Sequence, residues 1–258
     1  MRRWWSWAVS LKSKLTDIVA APVRFDSRAS DYWWGCSLLV SVYALVMKLH
    51  SYFRSSASFR VRIALALKGL SYEYSAVHLA KGENKKPPYA DLSANTLVPL
   101  LEVDGQHLSQ SMAIIEYLND QHPTPALLPP DALGRATVRA LAQSISCDVH
   151  PINNLRVLKY LSNELKVDEA ATNTWYCYWC REGLVAFEKQ LGQLPASNYC
   201  YGSTPTLADC CLVPQIFNAR RFDTDLSGLP RTMAVFDTCM ALAAFQAAQP
   251  SACPDFEA

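Results

Sequence analysis

The stretch His122-Pro-Thr-Pro-Ala-Leu-Leu-Pro-Pro130 places four prolines within nine residues. Each proline fixes φ and removes a backbone donor, so neither a helix nor a central strand can run through it. The chain therefore folds in two parts, and their patterns differ. Upstream, from Met47, short β-prone runs alternate with helical ones. Lys48 to Phe53 reads as a strand, and Ser56 to Lys68 carries Phe59, Ile63, Leu65, Ala66 and Leu67 at helical spacing before Gly69, a helix-ending residue. Tyr72 to Leu79 reads as a second strand, Lys81 to Pro88 as loop, and Pro88 to Ala94 as room for a short helix. Val98 to Val103 then leads into Asp104-Gly105, a hairpin signal, and Met112 to Leu118 is helical. Downstream, the helical period holds over Asp131 to Ser146, Pro151 to Leu165, Glu169 to Leu191 and Thr206 to Phe217, with no strand alternation. Thr206-Leu-Ala-Asp209 has the form of a capping box, a structural rather than a chemical feature.

Several function classes fall away on charge and cysteine usage. Lys and Arg total 24 against 23 Asp and Glu, a net charge of +1, so no basic stripe exists to grip nucleic acid. The nine cysteines are odd in number and lack disulfide-framework spacing, which fits a reduced, cytoplasmic setting. Cys177-Tyr-Trp-Cys180 lies inside a helical pattern, with no second pair or histidines to complete a zinc site. Both thiols read as core groups, and no metal site is expected.

Residues 1–46 stand apart. They hold five of the seven tryptophans without a clear period, and the apolar run from Cys36 to Met47 is shorter than the roughly 20 residues a spanning helix needs. We read the functional polypeptide as beginning at Met47, with a membrane-surface anchor as the alternative for the extension. No membrane association is expected for residues 47–258.

Ser55 and Ser56 sit where the first helix should start. Serine caps helices well, and a helix N-terminus also favours an anion; on pattern alone the capping role is the stronger of the two. Ser111 allows the same two readings at the start of a later helix.

The order of elements resembles that of the soluble glutathione transferases, an α/β thioredoxin-like domain (47–122) followed by an all-α domain (131–258). Ser51-Tyr-Phe-Arg-Ser-Ser-Ala-Ser-Phe-Arg-Val-Arg-Ile-Ala-Leu65 is similar to the signature of the zeta class, which includes the maleylacetoacetate and maleylpyruvate isomerases. Leu97-Val-Pro99, Gln110-Ser111, Cys147-Asp-Val-His-Pro-Ile-Asn-Asn154 and Asn218-Ala-Arg-Arg-Phe222 match the same class. One departure stands out: Ala57 occupies the third place of the family's usual Ser-Ser-Cys.

The resemblance implies glutathione as cofactor and a small diketo acid as substrate. The implied reaction is cis–trans isomerisation, first of all maleylacetoacetate to fumarylacetoacetate in tyrosine and phenylalanine breakdown. Maleylpyruvate isomerisation and transfer to small halogenated acids are the alternatives. A non-catalytic glutathione-fold module is a third reading; the retained serines, Gln110-Ser111 and Arg221 count against it. Glutathione brings its own thiol, so Ser55 or Ser56 needs only to stabilise a thiolate, and loss of the family cysteine is survivable. Val98 and Pro99, joined by a cis bond, should pair with the peptide part of glutathione like an added strand. Gln110 and Ser111 should hold its γ-glutamyl end. His150 and Asn154 are assigned to cofactor or substrate. Arg54 and Arg221 should grip substrate carboxylates, and Arg54 with the helix dipole should stabilise the charge that grows after thiolate addition. Arg60 and Arg220 are competitors for which a solvated side chain is the default. The family also implies a homodimer.

Overall fold

Four strands of a computed structural model, which describes residues 47–257, form one sheet in the order β2-β1-β3-β4. The calls on residues 1–46 lie outside the described residues. β1 (Lys48–Ser51) pairs in parallel with β2 (Glu73–Ala76), and α1 (Ser56–Leu67) makes the crossover between them. β1 also pairs antiparallel with β3 (Leu100–Val103), which pairs antiparallel with β4 (Gln106–Ser109). The β3–β4 turn is Asp104-Gly105, with φ of 50° and 70°, the positive pair that a tight hairpin turn demands. Both early strands are shorter than their apolar runs predict; Tyr52, Phe53 and Val77, just beyond them, pack in a small cluster with Tyr89, Val98 and Leu100. The short helix α2 (Tyr89–Leu92) is a single turn, and a 3₁₀ turn, Glu83–Lys85, lies in the stretch read as loop.

Beyond α3 (Ser111–Gln121) all described elements are helical: α4 (Ala132–Gln143), α5 (Leu155–Asn163), α6 (Glu169–Gly192), α7 (Leu207–Arg221), α8 (Pro230–Met240) and α9 (Ala243–Ala248). The predicted helix to Ser146 stops at Gln143 and opens into a wider π-type turn, Ser144–Val149. The helix predicted from Pro151 begins as a 3₁₀ turn and becomes regular only at Leu155. No element of the sequence reading covers α8 or α9. Among the described residues, no helix is long and apolar enough to cross a membrane.

α1 is apolar around most of its girth and is buried accordingly. Phe59, Val61, Ile63, Ala64 and Leu65 are all 1% exposed or less, and α1 packs against α3, α7 and α9. One core runs from Leu49 and Leu101 of the sheet through α1 to Leu212 and Ile216 of α7. The N-terminus of α1 is thereby fixed beside the middle of α7. Two cysteines expected in the core differ in degree: Cys180 is buried, while Cys177 is half-buried and its thiol donates to the Phe222 carbonyl at 3.2 Å. Asp209 is fully buried and reaches back to the Thr206 N–H at 2.7 Å, closing the start of α7 as the capping pattern predicts.

Candidate active site

The loop between β1 and α1 turns tightly, with the Ser55 N–H donating to the Tyr52 carbonyl at 2.9 Å. Ser55 is then the N-cap of α1: φ and ψ are −73° and 114°, and its hydroxyl oxygen accepts the Ser58 N–H at 3.2 Å. That bond uses a lone pair and leaves the hydroxyl proton free to donate. Ser56 is placed differently. It is 4% exposed; its hydroxyl accepts from the Asn218 side-chain amide and donates to the Pro214 carbonyl at 3.5 Å. The capping reading of Ser55 therefore holds without excluding the anion-holding one, since the two use opposite sides of the same hydroxyl.

A cavity of about 850 Å³ opens at this helix end. Arg54, Ser55, Ser56, Val98, Pro99, Gln110, Ser111, His150, Asn154 and Arg221 all line it, and so does Ala57. The sheet half contributes Val98, which precedes the ladder of β3 with β1 and so keeps its peptide groups outside the sheet. The Val98–Pro99 bond is cis. Gln110 caps α3 with φ 69° and ψ 113°, a sparsely populated conformation for a residue with a side chain.

The helical half contributes His150 and Asn154. Asn154 caps α5 by accepting the Arg156 N–H at 3.1 Å on its carbonyl oxygen. Its amide nitrogen, 3.2 Å from His150 Nε2, must then donate, which puts the imidazole proton on Nδ1. Burial, with the nearby charges of Arg60 and Arg156, pulls the His150 pKa down to about 3, so the ring is neutral. The unfolded chain protonates this ring below about pH 6.5, whereas the folded one does not until about 3. A stabilising contribution present above pH 6.5 is thus lost as pH falls toward 3. With allowance for partial exposure, we expect stability to fall by about 1 kcal/mol per pH unit more steeply in the native chain than in His150→Gln between pH 6.5 and 4.5. Parallel denaturant titrations would check it; equal slopes would remove the assignment.

The four arginines named at the sequence level are placed in different ways. Arg54 is exposed, lies over the Phe53 ring at 5.0 Å and reaches the Glu257 carbonyl at 3.5 Å. Arg221 also lines the cavity, with its guanidinium 4.8 Å over the Phe222 ring. Arg220 is exposed, stacks on Phe236 at 4.4 Å and is absent from the cavity wall, which removes it as a competitor. Arg60, expected in solvent, is 2% exposed and lines the cavity. Its apolar helix is buried all round, and its side chain goes inward with it. Two further contributors were given no role in the sequence reading. Asn218 fixes the Ser56 hydroxyl, one helical turn from Arg221's position. The other is a C-terminal strap: Asp255 accepts the Phe53 N–H at 3.1 Å and the Tyr74 hydroxyl at 2.6 Å, Phe256 packs edge-on to Phe53, and Glu257 reaches Lys81 at 2.6 Å and His78 at 3.2 Å. No local motif announces such a strap.

Known proteins resemble this chain in sequence and in fold. Residues 45–120 match the family model described as the glutathione S-transferase N-terminal domain. A maleylpyruvate isomerase from Ralstonia is 52% identical over 210 residues, covering 81% of this chain and 99% of that protein. The solved holo structure of a maleyl pyruvate isomerase, described as a bacterial zeta-class glutathione S-transferase, aligns with a TM-score of 0.80 at 51% identity, over 81% of this chain and 100% of that one. The maleylacetoacetate isomerase of Anaeromyxobacter dehalogenans, solved with glutathione in its active site, aligns with a TM-score of 0.75 at 44% identity, over 83% and 99% of the two chains. The chain belongs to the zeta-class glutathione transferases, the family of the maleylacetoacetate and maleylpyruvate isomerases.

Proposed function

We propose that this protein is a glutathione-dependent cis–trans isomerase of a maleyl diketo acid. The observation that carries the reading is the free hydroxyl proton of Ser55, held at the N-terminus of α1 and opening onto a cavity whose walls bear Arg54 and Arg221. Bound glutathione would supply the thiolate that adds to the cis double bond and departs once the bond has rotated. The residues present fit that cofactor. Ser55 offers the sulfur a hydroxyl and a helix terminus, both favouring the charged form. Val98 offers peptide groups, and Gln110 with Ser111 offers a second helix start for the γ-glutamyl end.

Between the serines, Ser55 is the better thiolate partner, because both sides of the Ser56 hydroxyl are already engaged by Asn218 and Pro214. Arg54 and Arg221 would take the substrate carboxylates, and the neutral His150 would offer Nδ1–H to an acceptor. Residues 47–122 act in this reading as the glutathione-binding part, and residues 131–258 as the substrate-binding part. Maleylacetoacetate remains the first substrate of the sequence reading; the Ralstonia relative at 52% identity favours maleylpyruvate as the second. Eight free thiols among the described residues suit a reducing cytoplasm. A homodimer rests on family resemblance alone.

The deciding assay follows isomerisation of maleylacetoacetate and of maleylpyruvate with and without glutathione. Turnover only with the thiol is the expected result. Equal rates without it would sink the reading.

A further inference from the structure

Two arginines on α1 are equally buried and quite differently satisfied. Arg62 is 2% exposed, and the fold answers its whole fork: Nε donates to the Ala248 carbonyl at 2.9 Å, and the two terminal nitrogens to the Ser51 hydroxyl and to the Tyr52 and Phe53 carbonyls at 3.2 to 3.5 Å. Arg60 is also 2% exposed, but one bond alone is made, from a terminal nitrogen to the Ser111 hydroxyl at 3.3 Å. Its Nε and other terminal nitrogen are buried without a partner among the described residues. Among the described residues no carboxylate pairs with it.

A guanidinium does not shed its charge at working pH. An uncompensated buried cation destabilises the fold, and an apolar side chain of like volume would remove that cost. Nothing in the packing of α1 requires the charge, since Arg62 already ties that helix to the chain around it. No partner for the charge lies among the described residues, and the one bond Arg60 makes points to where one would bind. Ser111 lines the cavity at the N-terminus of α3, next to the strained Gln110. Its oxygen accepts from Arg60, which orients the hydroxyl proton away from the guanidinium and makes it a stronger donor.

We infer that Arg60 is the buried countercharge of the γ-glutamyl α-carboxylate of glutathione, acting through the Ser111 hydroxyl. Its two unpartnered nitrogens are closed to solvent, so the link is a relay and a field across a low-dielectric wall, and Arg60 is a positioning residue. The inference rests on the reading of the cavity as a glutathione site.

The experiment measures dissociation constants calorimetrically for glutathione and for γ-aminobutyryl-cysteinylglycine, which is glutathione without that carboxylate. The native chain should bind glutathione; if it does not, the functional reading fails and the inference with it. Given binding, Arg60→Met should weaken glutathione at least about tenfold, the size of one charge-assisted interaction, and should leave the decarboxylated ligand within about twofold. The ligand-free Tm of that variant should be unchanged or higher. Arg60→Gln keeps a donor for Ser111 without the charge and should show the same selective loss, which covers a Met variant that does not fold. Arg60→Lys should recover part of it. An Arg60→Met or Arg60→Gln chain that binds glutathione as the native one does, or loses both ligands equally, would overturn the inference, as would an effect confined to the KM of the diketo acid.

Discussion

Ser55→Ala is expected to lower kcat at saturating glutathione by about a hundredfold or more while the protein stays folded. The magnitude is that of removing one preorganised donor from a developing or resident anion. Two consequences separate this from a stability effect. The substitution also removes the cap of α1, but a lost serine cap costs only about 1 kcal/mol, and α1 is clamped by α3, α7 and α9. The pKa of bound glutathione's sulfur should rise toward the roughly 8.5 of a free thiol, which ultraviolet absorbance of the thiolate would report. Ser56→Ala should cost less in kcat, because the Ser56 hydroxyl is committed to Asn218 and Pro214. Ala57→Cys, restoring the family's thiol, should change rates only a few-fold, since the nucleophilic sulfur arrives with the cofactor. A normal sulfur pKa shift in Ser55→Ala would move the thiolate to Ser56.

Asp209→Ala should be the most damaging single change to stability, at about 3–5 kcal/mol. The carboxylate is fully buried and accepts four donors: the Cys200 N–H at 2.8 Å, the Thr206 N–H and hydroxyl both at 2.7 Å, and weakly the Cys239 thiol at 3.7 Å. Alanine would leave all four without acceptors in the core. Against a typical total of about 5–15 kcal/mol this is a large fraction. The denaturant midpoint should fall in proportion, and Asp209→Asn, which keeps one acceptor oxygen, should recover part of the loss. A midpoint within experimental scatter of the native one would show that water replaces the carboxylate.

What the sequence made legible follows how local each signal is. The α1 and α6 spans, the Asp104-Gly105 turn and the Thr206–Asp209 cap depend on residues within a few positions of one another, and the structure has them where the pattern puts them. The two early strands are shorter than their apolar runs, whose outer residues Tyr52 and Val77 pack in a cluster with Tyr89 of the α2 turn. The convergence of the ten candidate residues was legible only through family resemblance, since it depends on how α7 crosses α1. Arg60 shows the limit most clearly. A charged residue within an apolar helix reads as solvated unless the helix is known to be covered on every side, and that cover comes from α7 and α9, both distant in sequence. The strap formed by Asp255 and Glu257 is likewise set by partners about two hundred positions away.

That strap bears on the order in which the molecule is made. Phe53 and Asp255 are joined by a bond spanning 202 positions, so the loop carrying Arg54 and Ser55 gains this restraint only after Asp255 has been synthesised. Contacts of such long range repay their loop-closure cost late. On a ribosome the sheet and α1 can assemble early, yet the loop beside them stays open to exchange until Asp255 has emerged. Pulse-labelled hydrogen exchange on nascent chains should therefore find the Phe53 amide protected among the last, after Leu49 and Leu101 of the sheet.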